Sequence, residues 1–189
     1  MKKTICYAFL AGLLGVNSAQ AGSFIFASNA NGLTGSANAT LVGSDIDLTI
    51  AVGAAGAVLN ESDSDGMGID STGIAGVTDS SSSKLNVLGG VSAGQGESLT
   101  FSFSHDGVLD GLLFDGLKDE PLEYFSLELP GGSVLSLFDF EVEMRLNHQG
   151  FNLSDMGVPN PTQADGPNDD FSGLAIPFSA GEVFTLTYG

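Results

Sequence analysis

Glu61-Ser62-Asp63-Ser64-Asp65-Gly66 sets three acids on alternate positions ahead of a glycine. Calcium takes about six to eight oxygen ligands, and acids at this spacing can wrap the ion in a loop of about 12 residues. Asp70 adds a carboxylate just beyond the glycine. Glu61, Asp63, Asp65 and Asp70 are therefore the candidate calcium ligands, and calcium is the one cofactor the sequence suggests. The set departs from an EF-hand, with Glu61 opening the loop where that motif has Asp and Thr72 standing in place of its bidentate Glu. The competing reading is a solvated acidic turn.

Other residue patterns are weaker chemistry. Gly90-Val91-Ser92-Ala93-Gly94 matches the G-x-S-x-G elbow, which requires a strand before the serine and a helix after it. Gly94-Gln95-Gly96 leads instead into a strand pattern, so a glycine-rich turn is expected and no catalytic residue is assigned. Asp139, Glu141 and Glu143 form a stripe that reads as a solvated strand face, continued by Arg145. His105 and His148 lack any metal-binding spacing, and zinc would need more N or S ligands than two histidines supply. Sugar platforms commonly use flat aromatics, yet the chain has no Trp, and Tyr124 and Tyr188 both fall in strand patterns.

The elements that must position these groups show period two. Ile46, Leu48, Ile50 and Val52 alternate with polar or small residues. So do Leu99, Phe101 and Phe103; Phe125, Leu127 and Leu129; Phe138 through Leu146; and Phe184, Leu186 and Tyr188. Such alternation buries one face of an antiparallel strand and wets the other. Asn31-Gly32, Asp65-Gly66, Asp106-Gly107, Pro130-Gly131-Gly132 and Asp165-Gly166-Pro167 mark turns. Val108 to Leu117 has helical spacing, but Gly111 and Gly116 interrupt it, and strand and turn are expected there. Asp79 to Ser83 and Pro159 to Asp170 read as surface loops. The fold class expected is all-β, an antiparallel β-sandwich of jelly-roll type.

The first residues address the chain. Met1-Lys2-Lys3 is a basic start, Ile5 to Val16 is an apolar run, and Ala19-Gln20-Ala21 offers small residues for cleavage. A cleaved bacterial secretory signal over residues 1–21 is expected, leaving 22–189 as a single sandwich domain. Cleavage would remove Lys2, Lys3 and the lone Cys6, so the remainder carries 3 Lys and Arg against all 23 acids. That balance excludes an electrostatic grip on nucleic acid or on an anionic membrane surface.

Four segments then carry a family resemblance: Asp65 to Asp70, Ala93 to Phe103, Gly107 to Phe114 and Gly181 to Tyr188. With them the chain resembles the ectodomain of bacterial PEP-CTERM (exosortase-sorted) proteins, without the Pro-Glu-Pro motif, apolar helix and basic cluster of their sorting tail. The resemblance implies export, a β-sandwich, and a place at the cell surface or in an exopolysaccharide matrix. It supplies no catalytic residues. The expected function is a non-catalytic structural or adhesive protein, secreted or displayed on the cell surface, with exopolysaccharide or other surface proteins as partners. A carbohydrate-binding module, calcium-dependent or not, is the alternative, and a secreted hydrolase ranks below both.

Overall fold

A computed structural model describes residues 23–24, 26, 31–62, 66–82, 84–113, 124–138, 161–163, 170–171 and 173–188. Every regular element among them is a strand. In chain order these are β1 (Asn38–Leu41), β2 (Leu48–Val52), β3 (Val58–Ser62), β4 (Gly66–Asp70), β5 (Val77–Thr78), β6 (Gly89–Gly90), β7 (Ser98–Phe103) and β8 (Gly107–Leu109). Then follow β9 (Leu112–Leu113), β10 (Phe125–Glu128), β11 (Val134–Phe138), β12 (Pro161–Gln163), β13 (Asp170–Phe171), β14 (Ile176–Phe178) and β15 (Val183–Tyr188). No helix among the described residues is long and apolar enough to cross a membrane.

Seven strands form one sheet in the order β1-β2-β7-β15-β10-β11-β12. All its pairings are antiparallel except β11 with β12. Alternation sets the register, because a slip by one residue would turn the apolar set to water. Ile50 lies opposite Phe101, and Phe101 opposite Phe184. In the neighbouring row Leu99 faces Leu186, Leu186 faces Leu127, and Leu127 faces Leu135. Most of these side chains are buried, each full removal from water being worth about 1.5–3 kcal/mol.

Two-stranded ribbons cover that apolar face: β3 with β4, β8 with β14, and β9 with β13. Leu59 and Ile69, Leu109 and Phe178, and Phe171 bring their side chains into the same core cluster as the sheet residues. Phe178 stacks on Phe103 with ring centroids 4.6 Å apart and meets Phe184 edge-on at 5.8 Å. Phe101 stacks on Phe184 at 4.9 Å, so the phenylalanines read as core. The architecture is an all-β sandwich with an uninterrupted sheet on one side and separate ribbons on the other. The described strands do not spell out the paired four-stranded sheets of a jelly roll.

The strand patterns at Leu48, Leu99, Phe125 and Phe184 all become sheet strands, and Val108 to Leu113 falls in β8 and β9, linked through Asp110 and Gly111. Of the pattern from Phe138 to Leu146 only Phe138 is described. Asp139, Glu141, Glu143 and Arg145 lie outside the described residues, as do His148 and residues 1–21, where a leader is expected.

Candidate functional site

The acidic segment folds as a hairpin. β3 and β4 pair with Leu59 opposite Ile69, Glu61 opposite Met67 and Val58 opposite Asp70. Side chains at successive positions point to opposite faces. Glu61 is therefore in phase with the core residues Ala57 and Leu59, and it is 4% exposed. Its Oε1 accepts from Asn31 Nδ2 at 2.5 Å, while its buried Oε2 has no hydrogen-bond partner. Asp70 stands on the opposite face and three positions along, about 10 Å by strand rise. There its Oδ1 accepts from the Thr72 hydroxyl and the Thr72 backbone N–H, which hold the carboxyl below its usual pKa. The hairpin thus does not bring Glu61 and Asp70 together; Asp63 and Asp65 lie outside the described residues. Among the described residues no group of three or more acids, histidines or cysteines is placed to hold a metal ion.

A second acid is buried beside a cavity. Leu99 and Phe101 face the core from β7, and the same alternation carried two residues back puts Glu97 on that face, 3% exposed. Ser71, which follows β4 in phase with Ile69, donates its hydroxyl to Glu97 Oε1 at 2.5 Å. The Asn86 backbone N–H donates to Oε2 at 3.1 Å. Desolvation pushes the Glu97 carboxyl up to about 7, assisted by the charges of Asp79 and Asp70 and opposed by the bonds from Ser71 and Asn86.

Asp79 organises the approach to this carboxyl. Its Oδ2 accepts from Ser71 N at 3.0 Å, and its Oδ1 accepts from Ser81 N and Asn86 Nδ2, both at 2.9 Å. The segment expected as a plain surface loop is thereby tied to the end of β4. Glu97 N donates to the Asn86 carbonyl, and Leu88 N to the Gln95 carbonyl, closing the chain around β6 and the turn at 91–94. Tyr188 N donates to the Glu97 carbonyl at 3.0 Å, pinning the end of β15 beside the same residue.

These segments border a half-open cavity of about 310 Å³. Ile69, Ile74 and Leu88 give it an apolar side; Ser71, Glu97, Ser98 and Gln95 give it polar groups. Ala54 and Ala55, at the bend after β2, are exposed and line it too. Two glycines permit this closure. A Cβ on Gly96 would lie 1.6 Å from the Tyr188 carbonyl oxygen, and one on Gly53 would lie 2.0 Å from Ser98 Oγ.

Ser92 also lines the cavity, but it sits in a turn: Ala93 N donates to Gly90 O and Gln95 N to Ser92 O. A bridge between Val87 and Gly96 and then β7 follow, in place of the helix an elbow needs. His105 lies beyond the far end of β7 and shares a 2.9 Å hydrogen bond with Ser104 Oγ. From Ser98 to Phe103 the strand spans about 17 Å, so Ser92 and His105 belong to opposite ends of the sandwich. Tyr188 packs edge-on against Phe125 at 5.3 Å, a packing role rather than an open platform.

No protein-family model, curated protein or solved structure matches the chain. Its functional reading therefore rests on its own residues. Ser71, Asp79, Asn86 and Glu97 are the residues that motif reading missed. The detectable signal was parity: Glu97 precedes Leu99 and Phe101 at the same two-residue spacing, so an acid occupies a core position.

Proposed function

We propose that the protein is an exported, non-catalytic β-sandwich with a structural or adhesive role at the cell surface or in the extracellular matrix of a bacterium. The observation carrying this reading is the separation of Ser92 and His105 to opposite ends of β7, which denies the elbow-like serine that histidine as a base. The scaffold is a two-layer β structure, and an acid-rich exterior keeps such a domain soluble at high local concentration. The basic start and apolar run before Ala21 support export, and the PEP-CTERM-like segments support a surface location.

Two measurements test it. Expressed with its own first residues in a bacterial host, the protein is expected outside the cytoplasm with Gly22 as its N-terminus by mass spectrometry; cytoplasmic retention with residues 1–21 intact refutes export. Incubation with ester, glycan and peptide substrates is expected to give no turnover. Turnover abolished by Ser92→Ala, Ser71→Ala or Glu97→Gln overturns the non-catalytic assignment.

A carbohydrate-binding role is the second reading, favoured by the cavity with hydroxyl, amide and carboxyl groups converging on it. Calcium would act at the β3–β4 hairpin, where Glu61 Oε2 is an oxygen with a free valence for a cation. Glycan-array binding that disappears in chelator, with a calcium-specific rise in Tm, would favour this reading. Blank arrays in both buffers and superimposable melts would remove it.

A further inference from the structure

The cavity beside Glu97 has a composition that selects among ligand chemistries. Among the described residues no Lys or Arg lines it. Lys84 is the sole Lys or Arg among the described residues; it is exposed, and its backbone bonds to Ile69 N and Ser81 O. The charges bearing on Glu97 from the packed segments are Asp79 after β5 and Asp70 at the end of β4, both acidic. An anion is therefore repelled. A divalent ion needs about six oxygens in its shell, and the described acids form no such group. A sugar ring, the ligand of the second reading above, would find polar partners there but, among the described residues, no aromatic side chain to stack on, so it fits the cavity less fully. What remains matched is a single positive charge attached to a short apolar body. The carboxyl attracts it, the hydroxyls of Ser92 and Ser98 and the Gln95 amide oxygen offer acceptors, and Ile69, Ile74 and Leu88 receive the hydrocarbon. The volume lies at the small end for ligand pockets, suiting a body of a few carbons.

We infer that this cavity binds a primary ammonium group on a short alkyl stem, through the buried carboxylate of Glu97 with the Ser71 hydroxyl holding that carboxylate in place. A free alkylamine and a lysine side chain of another protein share this chemistry. The inference stands apart from export and adhesion, so a failure of either leaves it intact. It also accounts for an acid at a core position, since an ammonium in the cavity neutralises a carboxylate that burial otherwise disfavours.

The test is a titration of the purified protein with n-butylammonium chloride, following backbone amide signals of Gly53, Asn86 and Gly96 by NMR. An alkylammonium stays charged across the range used. Saturable shifts at these amides are expected at about pH 8.5, with affinity about 30-fold weaker at about pH 5.5, where Glu97 is mostly protonated. Glu97→Gln is expected to abolish that pH dependence while keeping a folded spectrum. Ala55→Leu, which fills the cavity mouth without touching the carboxyl, is expected to weaken binding at both pH values. Equal shifts from n-butanol, shifts confined to other acids, or undiminished binding by Glu97→Gln would each overturn the inference. Nα-acetyl-lysine amide in place of butylammonium assigns the source: comparable binding points to a lysine side chain, and its failure beside successful butylammonium binding points to a free amine.

Discussion

Replacing Glu97 with Gln isolates what ionising a buried carboxyl does to this fold. The carboxyl is displaced from an ordinary 4.5 to about 7, chiefly by desolvation. Because the folded value lies above the unfolded one, the native state holds an extra proton between them. Stability is then greatest below about pH 4.5, falls as pH rises, and has lost this contribution above about pH 7. The slope within the window is about −1.4 kcal/mol per pH unit, and the total is about 3 kcal/mol. Gln resembles the protonated acid: its carbonyl can accept from Asn86 N while its amide donates to Ser71 Oγ, reversing the Ser71 bond. The variant should therefore match the parent within about 1 kcal/mol near pH 4.5 and exceed it by about 2 kcal/mol near pH 8. Urea unfolding across this range, followed by circular dichroism because the chain has no Trp, measures the difference. Parallel stability profiles for parent and variant would refute the assignment of a buried, proton-holding Glu97.

Phe184→Ala should cost about 3–5 kcal/mol in the same assay, since the ring is 0% exposed and contacts Phe101, Phe103 and Phe178. Gly96→Ala should cost at least about 2 kcal/mol by driving the Tyr188 carbonyl away, whereas Gly94→Ala, with open space around it but φ at +81°, should cost only about 1 kcal/mol; a reversed order would contradict the close approach. Ser136→Ala should gain about 1 kcal/mol, because Ser136 is 0% exposed and its hydroxyl has no hydrogen-bond partner; a loss of that size would show that the hydroxyl is bonded. Added NaCl should raise the Tm by screening repulsion among the 23 acids, and an unchanged Tm would show those acids to be too dispersed to matter.

Alternation made the sheet legible. Leu48/Ile50, Leu99/Phe101, Phe125/Leu127 and Phe184/Leu186 each kept the face their spacing assigned. Partner choice was not legible, because period two tells a strand which side to bury and nothing about its neighbour; β15 beside both β7 and β10 had no sequence signature. The candidate site was read through a motif, and that concealed what parity held. Glu61 continues the spacing of Ala57 and Leu59, as Glu97 anticipates Leu99, so both acids were marked for the interior by their position. The alternate acids of Glu61 to Asp65 suggested a loop around an ion, whereas Val58 to Glu61 and Met67 to Asp70 had enough paired apolar surface to form a ribbon. Asp79, in a run of serines, looked like solvent-facing polarity and instead caps Ser71 and Ser81.

The placement of β15 constrains the order in which the protein can be built. It is the last strand of the chain as described, yet it occupies the middle of the seven-stranded sheet, joining β1-β2-β7 to β10-β11-β12. Until residues 183–188 arrive, those halves have no common strand, and the phenylalanine stack between Phe101 and Phe184 does not exist. Pairing β15 with β7 closes a loop of more than about 80 residues, a non-local step that slows folding. A chain emerging from a ribosome or threading through a narrow channel would thus keep its sheet open until residues 183–188 are free. β15 acts as a latch, and the two halves of the sheet are locked together only once it has joined them.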